Sequence, residues 1–283
     1  MTLRTSLFVL AAPFALVACS SNNHDKTAPD AAGSSDSDSG SGSGSATVTL
    51  TSDGNLGSRL VDANGKTLYF FVNDVAGAGT STYSGSAWPV FDASTITVGS
   101  GLTASDFAEI GSGTSAQTTW KGRPLYYYAN DTTASPTAGE GIAGRWFVAR
   151  DYDLFLGASS TVTPQGGSAD SPFLTDGAGR TVYMYTKDTP GMNGGSPTSA
   201  CTSGCLTHWP IWQAPASLAG LALPSTMQAA NLTSFTNASE TQFVFMGWPL
   251  YYYASDTKPG QVAGAGVADW YAVNVSWDGT VTQ

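Results

Sequence analysis

Two nearly identical stretches lie 125 positions apart: residues 122–131 read GRPLYYYAND and residues 247–256 read GWPLYYYASD. Each runs glycine, one variable residue, Pro-Leu, three tyrosines and a terminal aspartate. Ordered, collinear matches surround them and indicate a duplicated module. These matches pair VDANGKTLYFFVND (61–74) with TDGAGRTVYMYTKD (175–188), Trp88-Pro89 with Trp209-Pro210, and GEGIAGRWFV (139–148) with GAGVADWYAV (264–273).

A finer repeat lies inside each module, because the spacing Tyr-x4-Asp occurs twice in each copy. Successive tyrosines of the motif are 57, 57 and 68 residues apart, and a turn that contains glycine precedes each one. The chain is therefore built from four related units arranged as two pairs. The four motifs are Tyr69/Asp74, Tyr126/Asp131, Tyr183/Asp188 and Tyr251/Asp256.

The local pattern predicts an all-β fold. Runs such as LYFFV, LYYYA and VYMY are short, aromatic and bounded by turn residues, and no segment keeps a 3.6-residue apolar period. We expect two tandem β-modules, at residues 47–157 and 158–283, packed as one pseudo-symmetric body. Four units of this length are also compatible with a small β-propeller, which is the alternative architecture.

The Tyr-x4-Asp motif itself predicts a structural corner. In a strand, Tyr126 and Tyr128 point to one face while Leu125 and Tyr127 point to the other, so both faces are apolar and covered. The aspartate follows the strand, where its carboxylate can accept N–H groups of the turn. Two functional readings remain open: the four aspartates and their aromatic neighbours line a binding site, or the pairs Asp74/Asp188 and Asp131/Asp256 bind calcium.

The N-terminus predicts export with a lipid anchor. Residues 1–18 have a short basic start and an apolar stretch of signal-peptide length, and they end in Leu16-Val17-Ala18 before Cys19. Small residues before a cysteine resemble a bacterial lipobox, so we expect Cys19 to be lipidated. Residues 19–46 are rich in serine, glycine and aspartate, which predicts a disordered tether. Ser20 favours the outer membrane, on its periplasmic face or at the cell surface.

The remaining cysteines, Cys201 and Cys205, predict a disulfide, since an exported chain lies in an oxidising compartment. A metal or redox site with His208 is the alternative, although zinc would need a fourth ligand. The simpler interpretation makes His208 a packed loop residue beside Trp209. The first module has no cysteine pair, so this loop is where the two copies differ. Trp88, Trp209 and His208 are therefore possible binding residues.

Composition and charge exclude some classes of partner. The formal net charge is −10 with only 11% charged residues, so the chain lacks the clustered cations that nucleic acid requires. No G-x-S-x-G motif is present, and a Ser-His-Asp arrangement could form only around His208. We therefore expect no catalytic residues, no cofactor and no metal. A polysaccharide-acting enzyme with paired carboxylates remains an alternative.

These residues resemble a known family. The lipobox, the polar tether, the LYxFxxD and PLYYYAxD units and the C-x3-C…WP element are similar to bacterial predicted lipoproteins with a secreted Tyr-x4-Asp repeat. The resemblance covers about residues 51–277. It implies export and a repeat fold, and it implies no catalytic residue because that family has no known function. The expected role is binding or structural, at the cell envelope, with an envelope protein or a glycan as the possible partner.

Overall fold

The computed structural model describes residues 46–237 and 239–281. The predicted signal peptide, Cys19 and nearly all of the tether lie outside these residues. No helix in the described part of the chain has the length and apolar character needed to cross a membrane. The described residues form fourteen strands: β1 Val48–Asp53, β2 Gly57–Asp62, β3 Tyr69–Phe71, β4 Phe107–Ile110, β5 Gln117–Trp120, β6 Arg123–Pro124, β7 Trp146–Val148, β8 Leu154–Gly157, β9 Phe173–Asp176, β10 Tyr183–Tyr185, β11 Leu232–Asn237, β12 Glu240–Phe245, β13 Trp248–Pro249 and β14 Trp270–Ala272.

In the described residues, helical structure is limited to single turns. One α-helical turn, α1, spans Cys205–His208. The 3-10 turns in the described ranges are Ala104–Asp106, Gly113–Ser115, Ile142–Gly144, Met192–Gly194, Ala229–Asn231 and Ala263–Gly266.

The strands form three kinds of antiparallel sheet, and each kind occurs twice. The β1-β2 pair has its counterpart in β8-β9, β3-β7 in β10-β14, and β4-β5-β6 in β11-β12-β13. This confirms the all-β fold with tandem modules. The sheets have two or three strands, fewer than the four of a propeller blade, so the structure favours the module architecture over the propeller.

The position of β8 differs from the predicted module boundary. A boundary after residue 157 separates β8 from β9, yet Leu154 lies opposite Asp176 in their antiparallel register. In the second set of sheets β8 takes the place that β1 has in the first. The second module therefore begins structurally before Leu154, because its first hairpin needs that strand.

Two-residue hairpin turns place the PLYYY stretches. Lys121 and Gly122 join β5 to β6 with φ of 50° and 75°, and Met246 and Gly247 join β12 to β13 with φ of 50° and 85°. Positive φ at both turn residues is typical of a type I′ hairpin, whose twist matches that of the strands. A Cβ at Gly122 would lie 2.6 Å from the backbone nitrogen of Gly77, so the second turn position also lacks room for a side chain.

The predicted LYYYA strand is shorter than expected, but its two faces are as predicted. Only Tyr126 of this stretch forms β-bridges, to Tyr69 and Val90. Leu125 and Tyr127 contact the main core, whereas Tyr126 and Tyr128 lie in a separate aromatic cluster.

One large core joins the two modules. It contains Phe70 and Trp120 from the first module together with Met184 and Phe243 from the second. Two smaller clusters lie outside it in equivalent places. One contains Tyr69, Trp88, Tyr126 and Trp146, and the other contains Tyr183, Trp209, Tyr251 and Trp270.

Candidate functional site

The four Tyr-x4-Asp motifs form reciprocal pairs. In the first module the Tyr69 hydroxyl donates to Asp131 at 2.8 Å, and the Tyr126 hydroxyl donates to Asp74 at 2.6 Å. Each tyrosine thus binds the aspartate of the other unit. The backbones of Tyr69 and Tyr126 also exchange both of their N–H···O=C bonds, at 2.8 and 3.1 Å. The two units are therefore joined by a locally two-fold symmetric contact.

The second module repeats this arrangement. The Tyr183 hydroxyl donates to Asp256 at 2.5 Å, and the Tyr251 hydroxyl donates to Asp188 at 2.9 Å. Tyr183 and Tyr251 exchange backbone hydrogen bonds as well, at 2.8 and 2.9 Å. All four tyrosines are fully buried. A buried hydroxyl needs a partner, and here the neighbouring unit supplies it.

The expected local role of the aspartates is only partly correct. Three of them accept a backbone N–H with their second oxygen, but the donors lie in the following loop: Thr82 for Asp74, Ala200 for Asp188 and Ala263 for Asp256. The proposed calcium pairs fit this arrangement poorly. Both carboxylate oxygens of Asp74 and of Asp188 accept hydrogen bonds from O–H and N–H donors of their own module. In addition, the described residues contain no group of three or more metal-binding side chains.

Burial changes the acidity of these groups. It raises the pKa of Asp74 and Asp131, and it raises the pKa of Asp188 to about 6, in each case against the effect of the hydrogen bonds that the carboxylate accepts. Burial and the facing carboxylates also raise the pKa of Tyr126 and Tyr251. A raised tyrosine pKa keeps the phenol protonated, so it acts as a hydrogen-bond donor at any physiological pH.

Each module also contains a stack of four aromatic rings. Trp88 lies parallel to Trp146 with centroids 3.9 Å apart, and Trp209 lies parallel to Trp270 at 3.6 Å. Trp88 and Trp209 were predicted as possible binding residues, but both are at most 5% exposed. Their indole rings therefore serve packing. The outer rings of the stacks are Phe71 and Tyr128 in the first module, and Tyr185 and Tyr253 in the second.

The divergent loop holds a disulfide in the second module and an aromatic ring in the first. Cys201 and Cys205 are bonded, with Cα atoms 5.2 Å apart. The interpretation of His208 as a packed residue is wrong: it ends α1 with an exposed side chain, while its carbonyl accepts the N–H of Ala254. In the first module, Tyr83 contacts Trp146 edge to face at 4.9 Å from the same loop. Packing thus replaces the bridge there.

A second set of Tyr–Asp bonds was missed from the sequence. The Tyr127 hydroxyl donates to Asp62 at 2.9 Å, and the Tyr252 hydroxyl donates to Asp176 at 3.0 Å. Asp62 also accepts the N–H of Lys66, so one carboxylate fixes both the hairpin turn and the PLYYY stretch. The sequence did contain a signal for these bonds, because an aspartate is the second residue of both aligned segments, 61–74 and 175–188.

A large cavity among the described residues lies elsewhere. It is a cleft of about 920 Å³, and both modules contribute to its lining. None of the eight Tyr-x4-Asp residues, the disulfide, Trp88, Trp209 or His208 belongs to it. The side chains that define the cleft are Phe70, Val75, Trp120, Lys121, Arg123, Arg150, Asp151, Tyr152, Asp153, Asp176, Lys258 and Pro259.

The cleft concentrates cations in an acidic chain. Four of the 11 lysines and arginines line it, together with three aspartates. The aspartates are engaged by protein groups: Asp151 pairs with Lys121, Asp153 accepts the N–H of Ala222, and Asp176 accepts Tyr252 and the N–H of Arg180. By contrast, the charged ends of the other three cations, Arg123, Arg150 and Lys258, have no ion pair or hydrogen bond within the described ranges.

Arg123 is the most unusual of these cations. Its side chain is 6% exposed, and its guanidinium lies 4.6 Å from the centroid of Phe155 and 5.8 Å from that of Phe70. Burial lowers the pKa of Arg123 to about 10, against the attraction of Asp176 and Asp74, so it remains cationic at neutral pH. The neighbouring Trp120 is buried as well, and its indole N–H finds no acceptor in the described part of the chain. Buried donors of this kind normally have a partner.

The second module has no arginine at the position that corresponds to Arg123 and no tryptophan at the position that corresponds to Trp120. Trp248 occupies the place of Arg123 and Phe245 the place of Trp120, as the paired registers Trp120↔Arg123 and Phe245↔Trp248 show. Trp248 donates to the carbonyl of Gly279 and packs on Trp277. A cavity beside the corresponding hairpin turn, Met246-Gly247, is smaller, about 350 Å³. The sequence did carry a signal for this difference, namely the mismatch of Arg123 and Trp248, one of two differences between the stretches at 122–131 and 247–256.

Comparison with known proteins identifies the repeat. Residues 50–92, 112–150 and 238–274 match the family Lipoprotein_15, described as a secreted repeat of unknown function. The three matches fall on segments of both modules. No curated protein and no solved structure matches the chain significantly.

Proposed function

We propose that this chain, three segments of which match a secreted repeat of unknown function, is a lipid-anchored, non-catalytic binding protein of the bacterial envelope. In this proposal the Tyr-x4-Asp repeats build the scaffold, and the cleft around Arg123 holds the ligand. The expected partner is a component of the envelope or a compound that passes through it.

The anchor is supported by the sequence around Cys19. Leu16-Val17-Ala18 before the cysteine has the small-residue pattern of a lipobox, and the secreted family agrees with export. Ser20 supports sorting to the outer membrane, on either its periplasmic face or the cell surface.

The non-catalytic role is supported by what the motif side chains do. The four tyrosines are buried and bound to the four aspartates, which favours a scaffold over a reaction centre. The bond between Cys201 and Cys205 removes the thiolates that a metal site at these cysteines would need. The exposed His208 belongs to no group of three or more metal-binding side chains in the described residues.

The cleft is the observation that carries the binding role. Its volume, about 920 Å³, lies within the range typical of small-molecule sites. Its walls combine aromatic side chains with a few polar groups, and three of its cations form no ion pair or hydrogen bond among the described residues. Such a combination is typical of a ligand site, whereas a packed structural junction would pair its buried charges.

Labelling with a fatty-acid analogue tests the anchor. The full-length chain, expressed in a bacterial host, should incorporate the label and fractionate with membranes. Cys19→Ser should abolish both, while the double variant Cys201→Ser/Cys205→Ser should keep both. Equal labelling of wild type and Cys19→Ser would refute the anchor.

Thermal melting of residues 47–283 tests the binding role. The panel consists of cell-wall glycans, small carboxylates, phosphate, amines and divalent metals. A ligand of the native state at 100 times its Kd adds about 2.7 kcal/mol, which corresponds to several degrees for a body of this size. Mass spectrometry of the panel after incubation should show every compound unchanged. Turnover of a glycan would instead favour the polysaccharide-acting enzyme.

A further inference from the structure

We propose that the cleft binds a monoanionic carboxylate with an apolar body, and that Arg123 receives the carboxylate group. This inference rests on the proposed function and specifies the ligand of the same site. It is argued from the charge balance, the orientation of Arg123 and the walls of the cleft.

The charge balance indicates an anion. Lys121 and all three aspartates of the cleft are engaged by protein groups, but Arg123, Arg150 and Lys258 are not. A cationic ligand would face these charges, and a neutral ligand would leave the buried guanidinium without an anionic acceptor, since Asp176 and Asp74 attract it without bonding to it. The cleft has only one more cation than carboxylates, and the whole chain has a net charge of −10. A single negative charge therefore fits better than a polyanion.

The surroundings of Arg123 indicate a carboxylate. Phe155 and Phe70 lie against the guanidinium, with ring centroids 4.6 and 5.8 Å from its central carbon, and no acceptor within the described residues takes its N–H groups. One terminal nitrogen of Arg123 lies close to Gly179 of the second module. A Cβ added at Gly179 would be 2.9 Å from this nitrogen. A planar carboxylate matches the fork geometry of an arginine edge with two parallel hydrogen bonds.

The walls indicate an apolar body. Phe70, Trp120 and Tyr152 line the cleft, and Val75 and Pro259 extend this apolar surface. Arg150 lies over the ring of Tyr152 at 4.9 Å, so its charge is held beside the aromatic wall. Lys258 is exposed and belongs to the rim. A molecule with a carboxylate at one end and an aromatic or aliphatic body would contact both kinds of surface at once.

Calorimetric titration of residues 47–283 tests the inference with benzoate and phenylacetate as probes. Benzamide and phenylacetamide are the neutral controls, and benzylamine is the cationic control. Inorganic phosphate is the control for an anion that has no apolar body. The indole N–H resonance of Trp120, assigned with Trp120→Phe, reports whether a probe enters the cleft.

We expect both carboxylates to bind and to move the Trp120 resonance, with the amides at least about tenfold weaker. Arg123→Met should weaken binding at least about thirtyfold, and Arg123→Lys should weaken it less, because lysine keeps the charge without the fork. Lys258→Met changes an exposed side chain and should weaken binding a few-fold and reduce its salt dependence. Lys187→Met removes a cation that does not line the cleft and should leave the affinity within about twofold of wild type.

Three outcomes would overturn the inference: no carboxylate binds at about 10 mM, the amides bind equally well, or Arg123→Met binds as wild type does. If phosphate, benzylamine or a neutral glycan moves the Trp120 resonance while the carboxylates do not, this inference fails and the binding function stands. If no compound of either panel moves that resonance, both fail.

Discussion

The pH dependence of stability offers a direct test of how Asp188 is held. Asp188 is 5% exposed, and burial raises its pKa from the ordinary 3.8 to about 6, although Ala200 and Tyr251 donate hydrogen bonds to it. The desolvation of the charge thus outweighs the hydrogen bonds. The perturbation is a change of pH, with Asp188→Asn as the comparison, because asparagine keeps the shape of the side chain and removes its titration.

The sign and size follow from linkage. The folded state binds the proton of Asp188 more tightly than the unfolded state does, so the contribution is fully present below pH 3.8 and is lost as the pH rises through about 6. The pKa difference corresponds to a loss of about 3 kcal/mol across this window, since one unit is worth about 1.4 kcal/mol. Burial raises the pKa of Asp74, Asp131 and Glu140 as well, which adds to the effect in the same direction.

Urea unfolding of residues 47–283 at a series of pH values between about 3 and 8 measures this change, because this interval brackets both pKa values of Asp188. The free energy of unfolding of wild type should fall as the pH rises, and Asp188→Asn should show a shallower fall. The difference between the two curves isolates Asp188 from the other carboxylates. Parallel curves for the two proteins, or a wild-type stability that rises between pH 4 and 6, would refute the reasoning.

Three further predictions concern the scaffold. Cys201→Ser/Cys205→Ser should cost about 2 kcal/mol in urea unfolding, the closure entropy of a loop with a sequence separation of 4, and a reductant should reproduce this loss in wild type. Trp88→Ala and Trp209→Ala should each lower the free energy of unfolding in urea by about 3–5 kcal/mol, because each removes a buried inner ring of a stack. A loss below about 1 kcal/mol would contradict the packing role. Gly122→Ala should lower the melting temperature more than Gly113→Ala, since both have positive φ but only the first meets a neighbouring backbone atom; equal effects would argue against the close approach.

The sequence predicted the strands and modules because local signals and duplication agree. Aromatic runs bounded by glycine turns predicted β3, β10, β7 and β14, and the alternation in LYYYA predicted which tyrosines share a face. It did not predict the crossed pairing of the motifs. A spacing of five residues between Tyr126 and Asp131 suggests a local contact, whereas the true partner, Asp74, is 52 positions away in sequence. Only the pairing of strands decides between these partners.

The cleft was missed for a different reason. The repeat draws attention to what the modules share, but the cleft depends on what they do not share: Arg123 against Trp248, and Trp120 against Phe245. Residues of the second module, such as Asp176 and Lys258, complete its lining. Contacts between distant segments of this kind cannot be inferred from one sequence. The exposed position of His208 was missed similarly, because its neighbour Trp209 is buried and the turn α1 separates their environments.

A double-mutant cycle tests the central claim, that the repeats lock one another through crossed Tyr–Asp bonds. Tyr126→Phe is combined with Asp74→Asn in one cycle and with Asp131→Asn, the aspartate of its own motif, in another, and urea unfolding gives the coupling energies. The crossed pair should couple by about 1.5–3 kcal/mol, as expected for a buried hydrogen bond to a charged group. The pair within one motif should couple by less than about 0.5 kcal/mol. A stronger coupling of Tyr126 to Asp131 than to Asp74 would contradict the account.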